Sequence, residues 1–187
     1  MKPISLGARL VKGFLAIVLI IYCVDLRASS AMKLKKKVTS SDKNCYAELY
    51  AVRTDGANES VVRVFYDGKK KDIDLTSPDG DHGYEVQNIK WSQSSNFLVF
   101  STWSSGRHSA WHHPLFVFAR VVDYCVPVDD SLRPVVSEFF EITKNDVLKT
   151  TLVSKSRDVG DPDERTSINL SQFFKDPEAL KKMKAEA

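Results

Sequence analysis

No Gly-x-Ser-x-Gly elbow, glycine-rich phosphate loop, Gly-x-Gly-x-x-Gly fingerprint or His-Glu-x-x-His helix occurs in the 187 residues. Their absence removes the sequence warrant for an α/β-type serine hydrolase, a nucleotide-binding enzyme, a dinucleotide oxidoreductase and a zincin. Cysteine is scarce, with three residues and no Cys-x-x-Cys pair, which argues against thiol–disulfide catalysis. No proline-rich or glycine/serine-rich linker divides the chain, so a single domain is expected. A membrane-length apolar run is also missing. The run Phe14 to Val24 has 11 residues, against the roughly 20 that a helix needs to cross a bilayer.

What surrounds that short run gives it a meaning. Lys2, Arg9 and Lys12 precede it and the small-residue stretch Ala28-Ser29-Ser30-Ala31 follows. A basic start, a greasy centre and a small-residue cut site make up a secretory signal peptide. Residues 1–31 are read as that leader, with cleavage after Ala31, and the mature protein as exported, periplasmic or secreted. Anchoring through an uncleaved segment is the alternative; no stable span is expected once the leader is cut.

Removing the leader changes the charge. The chain holds 27 lysines and arginines against 24 acids; the leader takes Lys2, Arg9, Lys12 and Arg27 but only Asp25, leaving 23 against 23. A neutral mature chain withdraws the compositional support for nucleic-acid binding. The basic runs at 33–37 and 69–71 read as a solvated tail and a charged turn. Cys45 and Cys125 survive processing and are a candidate disulfide in an oxidising compartment. Asn58-Glu59-Ser60 and Asn169-Leu170-Ser171 fit glycosylation acceptors, relevant only to a eukaryotic secretory route.

About 156 residues then remain, enough for one cored domain. Residues 32–44 read as a flexible lead-in and 45–175 as a β-rich domain. Cys45 to Arg53 alternates, Ser60 to Tyr66 is β-branched and aromatic, and Asp55-Gly56 and Asp67-Gly68 mark turns, which together make a meander of hairpins. Lysines near 71 guard an edge strand. Glu85 to Trp91, Asn96 to Trp103 and Leu115 to Val122 read as central strands, because apolar residues load both faces of the last two. Val135 to Ile142 and Asp146 to Val153 form a further hairpin, with a helix over Ser131 to Ile142 as the alternative. Arg165 to Leu170 is a last strand. Asp176-Pro177-Glu178 opens a short C-terminal helix in the tail 176–187. The fold class expected is mainly β: a single twisted antiparallel sheet, a small sandwich or a propeller-like fragment.

The segment Ile89-Lys90-Trp91-Ser92-Gln93-Ser94-Ser95-Asn96-Phe97-Leu98-Val99-Phe100-Ser101 resembles a blade repeat of the periplasmic Tol-type β-propellers. In those repeats a tryptophan–serine pair enters a turn and an apolar strand follows; here Gln93-Ser94-Ser95 stands in place of Pro-Asp-Gly. The resemblance implies a blade-like hairpin and assigns no functional residue. Closed rings need about four blades of 40–45 residues, more than this chain can supply.

One loop carries an unusual load of chemistry. All four histidines fall between His82 and His113, and Ser104 to Pro114 holds Arg107, His108, Trp111, His112 and His113 between two core strands. Loops on a rigid sheet are where binding groups sit, and arginine and tryptophan are enriched at binding hot spots. Those five residues are the expected contact surface for an envelope protein or small ligand, in a non-catalytic binding or structural role that needs no cofactor. His82, His108 and His112 as zinc or copper ligands are one alternative. Another is an enzyme inhibitor, because Ser105-Gly106-Arg107 resembles the serine–glycine loop of periplasmic lysozyme inhibitors. Catalysis is the class with least support.

Overall fold

Apolar side chains on both faces of Phe97–Ser104 and Leu115–Ala119 require a sheet that is covered twice, and the computed structural model has one. It describes residues 32–54, 57–77, 82–106, 109–155 and 163–175. The expected signal segment and C-terminal helix lie outside them. The described residues form one compact unit.

Among the described residues three antiparallel sheets are formed, each from strands consecutive in the chain. The first runs β1 (Lys33–Thr39), β2 (Tyr46–Thr54), β3 (Ala57–Tyr66) and β4 (Lys69–Asp74). The middle sheet runs β5 (Tyr84–Trp91), β6 (Phe97–Ser104), β7 (Leu115–Ala119) and β8 (Tyr124–Pro127). The third is β9 (Glu141–Ile142), β10 (Val147–Leu152) and β11 (Glu164–Asn169), with β10 central. Alternation along β6 and β7 sends Leu98, Phe100 and Phe118 into a core shared with Val62, Val64 and Tyr66 of the first sheet. Val99, Leu115 and Val117 point the other way, into a core with Leu148 and Leu152 of the third. The expectation of a mainly β chain with its central strands buried on both faces holds. The single-sheet version does not: two apolar faces on one sheet need a covering layer each.

Three further expectations are corrected. The lead-in is a strand: β1 pairs with β2 from Lys33↔Ala51 to Thr39↔Tyr46, around a bulge between Leu34 and Lys36. Its lysines obscured it, because an edge strand exposed on both faces shows no apolar alternation. The first arm of the 135–153 hairpin shrinks to β9 and one bridge, Val135↔Leu152. Side chains of the middle sheet take its carbonyls instead: Asn88 and Ser101 donate to Glu138 O (3.2 and 2.7 Å), and Lys90 to Phe140 O (3.2 Å). Lastly, Cys45 and Cys125 are free thiols. Both lie in the apolar packing between the first and middle sheets, Cys45 just before β2 and Cys125 on β8. Burial raises both, Cys125 to about 12 and Cys45 against the pull of nearby Arg120.

The two ends of the first and middle sheets are built differently. At one end four tight turns interlock. Asp67 (φ 48°) and Gly68 (φ 73°) are both left-handed, the conformation a two-residue type I′ hairpin demands. Arg120 donates to both carboxylate oxygens of Asp67 and, at 3.3 Å, to Asp42, while the Asp42 N–H reaches Ser95 Oγ at 3.1 Å. Tyr66 donates to Asp123, and Lys71 donates to the Asp123 carbonyl at 2.8 Å. This web ties the first and middle sheets at this end by charge and hydrogen bonds.

The web has a pH signature. The Ser40 hydroxyl and the Asn44 N–H hold Asp42 below the usual carboxylate range, and Arg120 does the same to Asp67; outside the web, Arg63 acts likewise on Asp72 and Arg133 on Glu164. For Asp123 burial pushes up, and the bonds from Tyr66 and Lys71 outweigh it downward. Folded values below unfolded ones give stability that is complete above about pH 4 and lost as pH falls through the folded values. Calorimetry should show a Tm level from neutral pH to about 5 that declines below about 4. A Tm that stays flat or rises on acidification contradicts the stabilising role given to these carboxylate pairs.

Candidate functional site

The opposite end carries the long connections: 75–83 between β4 and β5, 105–114 between β6 and β7, and the 3₁₀ turn Val128–Asp130 after β8. Among the described residues His82, Tyr84, Ser104, Ser109, His112 and Pro114 line a cleft of about 260 Å³. Two of the imidazoles singled out in the sequence therefore share one cavity, although 30 positions separate them.

His112 is the organised member. Its N–H closes a turn on Ser109 O at 3.1 Å, and its Nε2 lies 2.5 Å from Asp129 Oδ2. Asp129 also accepts the Val135 N–H at 3.3 Å. Burial pushes the Asp129 carboxyl up, and its pairing with His112 opposes that rise. With Asp129 ionised, Nε2 carries a proton and donates it to the carboxylate. Trp111 stacks on this pinned ring, centroids 5.3 Å apart and planes 26° apart, and is 57% exposed. An indole left in water forgoes the free energy that burial would give it.

His113 does not line the cleft. It stacks on Trp103 (6.4 Å, 21°), its N–H donates to Val135 O at 2.8 Å, and its Nδ1 is buried without a partner. Arg107 and His108 lie outside the described residues. Among the described residues no three His, Cys, Asp or Glu side chains meet in an arrangement that would hold a metal ion.

Two acids that shape this end escaped the sequence reading. Asp129 is one. Glu59 is the other, fully buried on β3, with the Ser77 N–H donating to Oε2 and the Ser105 hydroxyl to Oε1, both at 2.9 Å. It thereby joins the connection that carries His82 to the loop that carries Trp111. Gly83 lies against it: a Cβ there would stand 2.0 Å from Oε1. Strand alternation puts Glu59 on the face of Val61 and Arg63, opposite the core face of Val62 and Val64, and its polar partners come from loops distant in sequence.

This end thus presents a pinned imidazole, an exposed indole and a cleft lined in part by the hydroxyls of Tyr84, Ser104 and Ser109. Compared with known proteins, the chain matches no family model, no curated protein and no solved structure.

Proposed function

We propose that the chain is an exported, non-catalytic binding protein of the cell envelope that holds an envelope protein or small ligand at Trp111, His112 and the adjoining cleft, with Arg107 and His108 in the same loop. The observation that carries this reading is the 57% exposed Trp111, stacked on a histidine that Asp129 locks in place. A preformed contact group loses little conformational freedom on binding, which is how a small surface reaches useful affinity. Export rests on the leader pattern of residues 1–31. The three sheets are read as an open run of blade-like units. Support comes from each being a meander of consecutive strands and from the packing of successive sheets face to face.

The test compares the parent with Trp111→Ala, both immobilised and offered the same envelope extract. Recovery of the bound component should fall about ten-fold in the variant, as at a hot-spot residue. Its Tm should stay within about 2 °C of the parent, because the ring is exposed. Equal recovery by both proteins contradicts the assignment.

A further inference from the structure

The face of the third sheet turned away from the core carries a second groove, of about 530 Å³, remote in sequence from the Trp111 loop. Cross-strand register places Lys149 opposite Ser167 and Glu141, and Thr151 opposite Arg165, so these five side chains share that face. Its wall is Phe139, 70% exposed.

Phe139 is held there by design of the segment. The Ser137 hydroxyl accepts the Phe139 N–H at 3.1 Å. The carbonyls on either side of Phe139, at Glu138 and Phe140, are gripped by Asn88, Ser101 and Lys90 of the middle sheet. Phe140 is buried and Phe139 is not. Across the groove Lys149 and Glu141 form a loose, solvent-open pair at 3.5 Å. Arg165 has no hydrogen-bond or ion-pair partner among the described residues.

We infer that this groove binds a saccharide bearing a carboxylate. A sugar ring lays its C–H face on an aromatic ring, and its hydroxyls take bonds from groups that both donate and accept, here Thr151, Ser167 and the Glu141–Lys149 pair. A carboxylate is the bidentate partner that a lone guanidinium lacks. The volume suits about two sugar units. An acidic peptide fits less well. Phe139 is the one exposed apolar side chain among those lining the groove, so an extended peptide would find a single apolar anchor there.

The test uses ligand-observed NMR and calorimetry with a glucuronic acid–N-acetylglucosamine disaccharide, its methyl ester and triglutamate. The acid disaccharide should bind with a roughly millimolar or tighter Kd. Phe139→Ala should abolish saturation transfer from the protein to either sugar. Arg165→Gln should weaken the acid about ten-fold and leave the methyl ester unchanged. Both side chains are exposed, so an unaltered Tm verifies that the variants fold. No binding of the acid disaccharide, undiminished binding by Phe139→Ala, or tighter binding of triglutamate overturns the inference. None of these results bears on Trp111.

Discussion

Converting Gly83 to alanine is expected to destabilise the protein by about 3 kcal/mol, a fall in Tm of roughly 6–12 °C for a domain of this size. The reason is not backbone freedom. The added methyl would lie 2.0 Å from Oε1, 2.3 Å from Cδ and 2.8 Å from Oε2 of Glu59. A glutamate tip usually swings away at little cost, but this one is fully buried and holds the Ser77 N–H and the Ser105 hydroxyl. Moving it strands a buried carboxylate and frees two loops at once. Adding Glu59→Ala removes the obstacle, so the double variant should be more stable than the summed single effects by at least about 1 kcal/mol. Simple additivity in denaturant melts would show that Gly83 and Glu59 do not oppose each other.

Phe118→Ala is expected to cost about 3–5 kcal/mol. Phe118 is fully buried on a central strand of the middle sheet and meets Tyr66 of the first sheet edge-on at 5.2 Å. Truncation leaves a cavity between two sheets, each pinned by its own ladder and therefore unable to close over it. Val121→Ala, at 82% exposure in the turn beyond β7, is the matched control and should change stability by less than about 0.5 kcal/mol. Comparable losses from both substitutions would mean that the middle sheet is not the double-faced layer described.

How far the sequence disclosed this fold depended on how local the deciding physics was. Asp67-Gly68 announced its turn because two left-handed residues are a backbone requirement. Phe97 to Phe100 and Leu115 to Phe118 announced a twice-covered sheet because both faces are loaded with apolar side chains. β1 stayed hidden because its place rests on pairing with β2 and on Val38 packing, which a lysine run masks. β8 was missed because Tyr124–Pro127 is short and ends in proline, a residue common beyond strands. The disulfide failed as an inference because an even cysteine count says nothing about which sheet each thiol joins. In the candidate site, composition set the Ser104 to Pro114 segment apart, and the fold brings His82 and His112 to one cleft. Glu59 and Asp129 were invisible because an acid becomes structural only when distant loops cover it.

Placing a photo-crosslinking side chain at position 111, and separately at position 121, tests most directly that the indole end is the working end. Both native residues are exposed, and they stand at opposite ends of the middle sheet. Irradiated in cells, the protein carrying the probe at 111 should form a defined adduct in the envelope fraction, and the one carrying it at 121 should form none. An equal yield at both positions, or an adduct at 121 alone, would contradict the account.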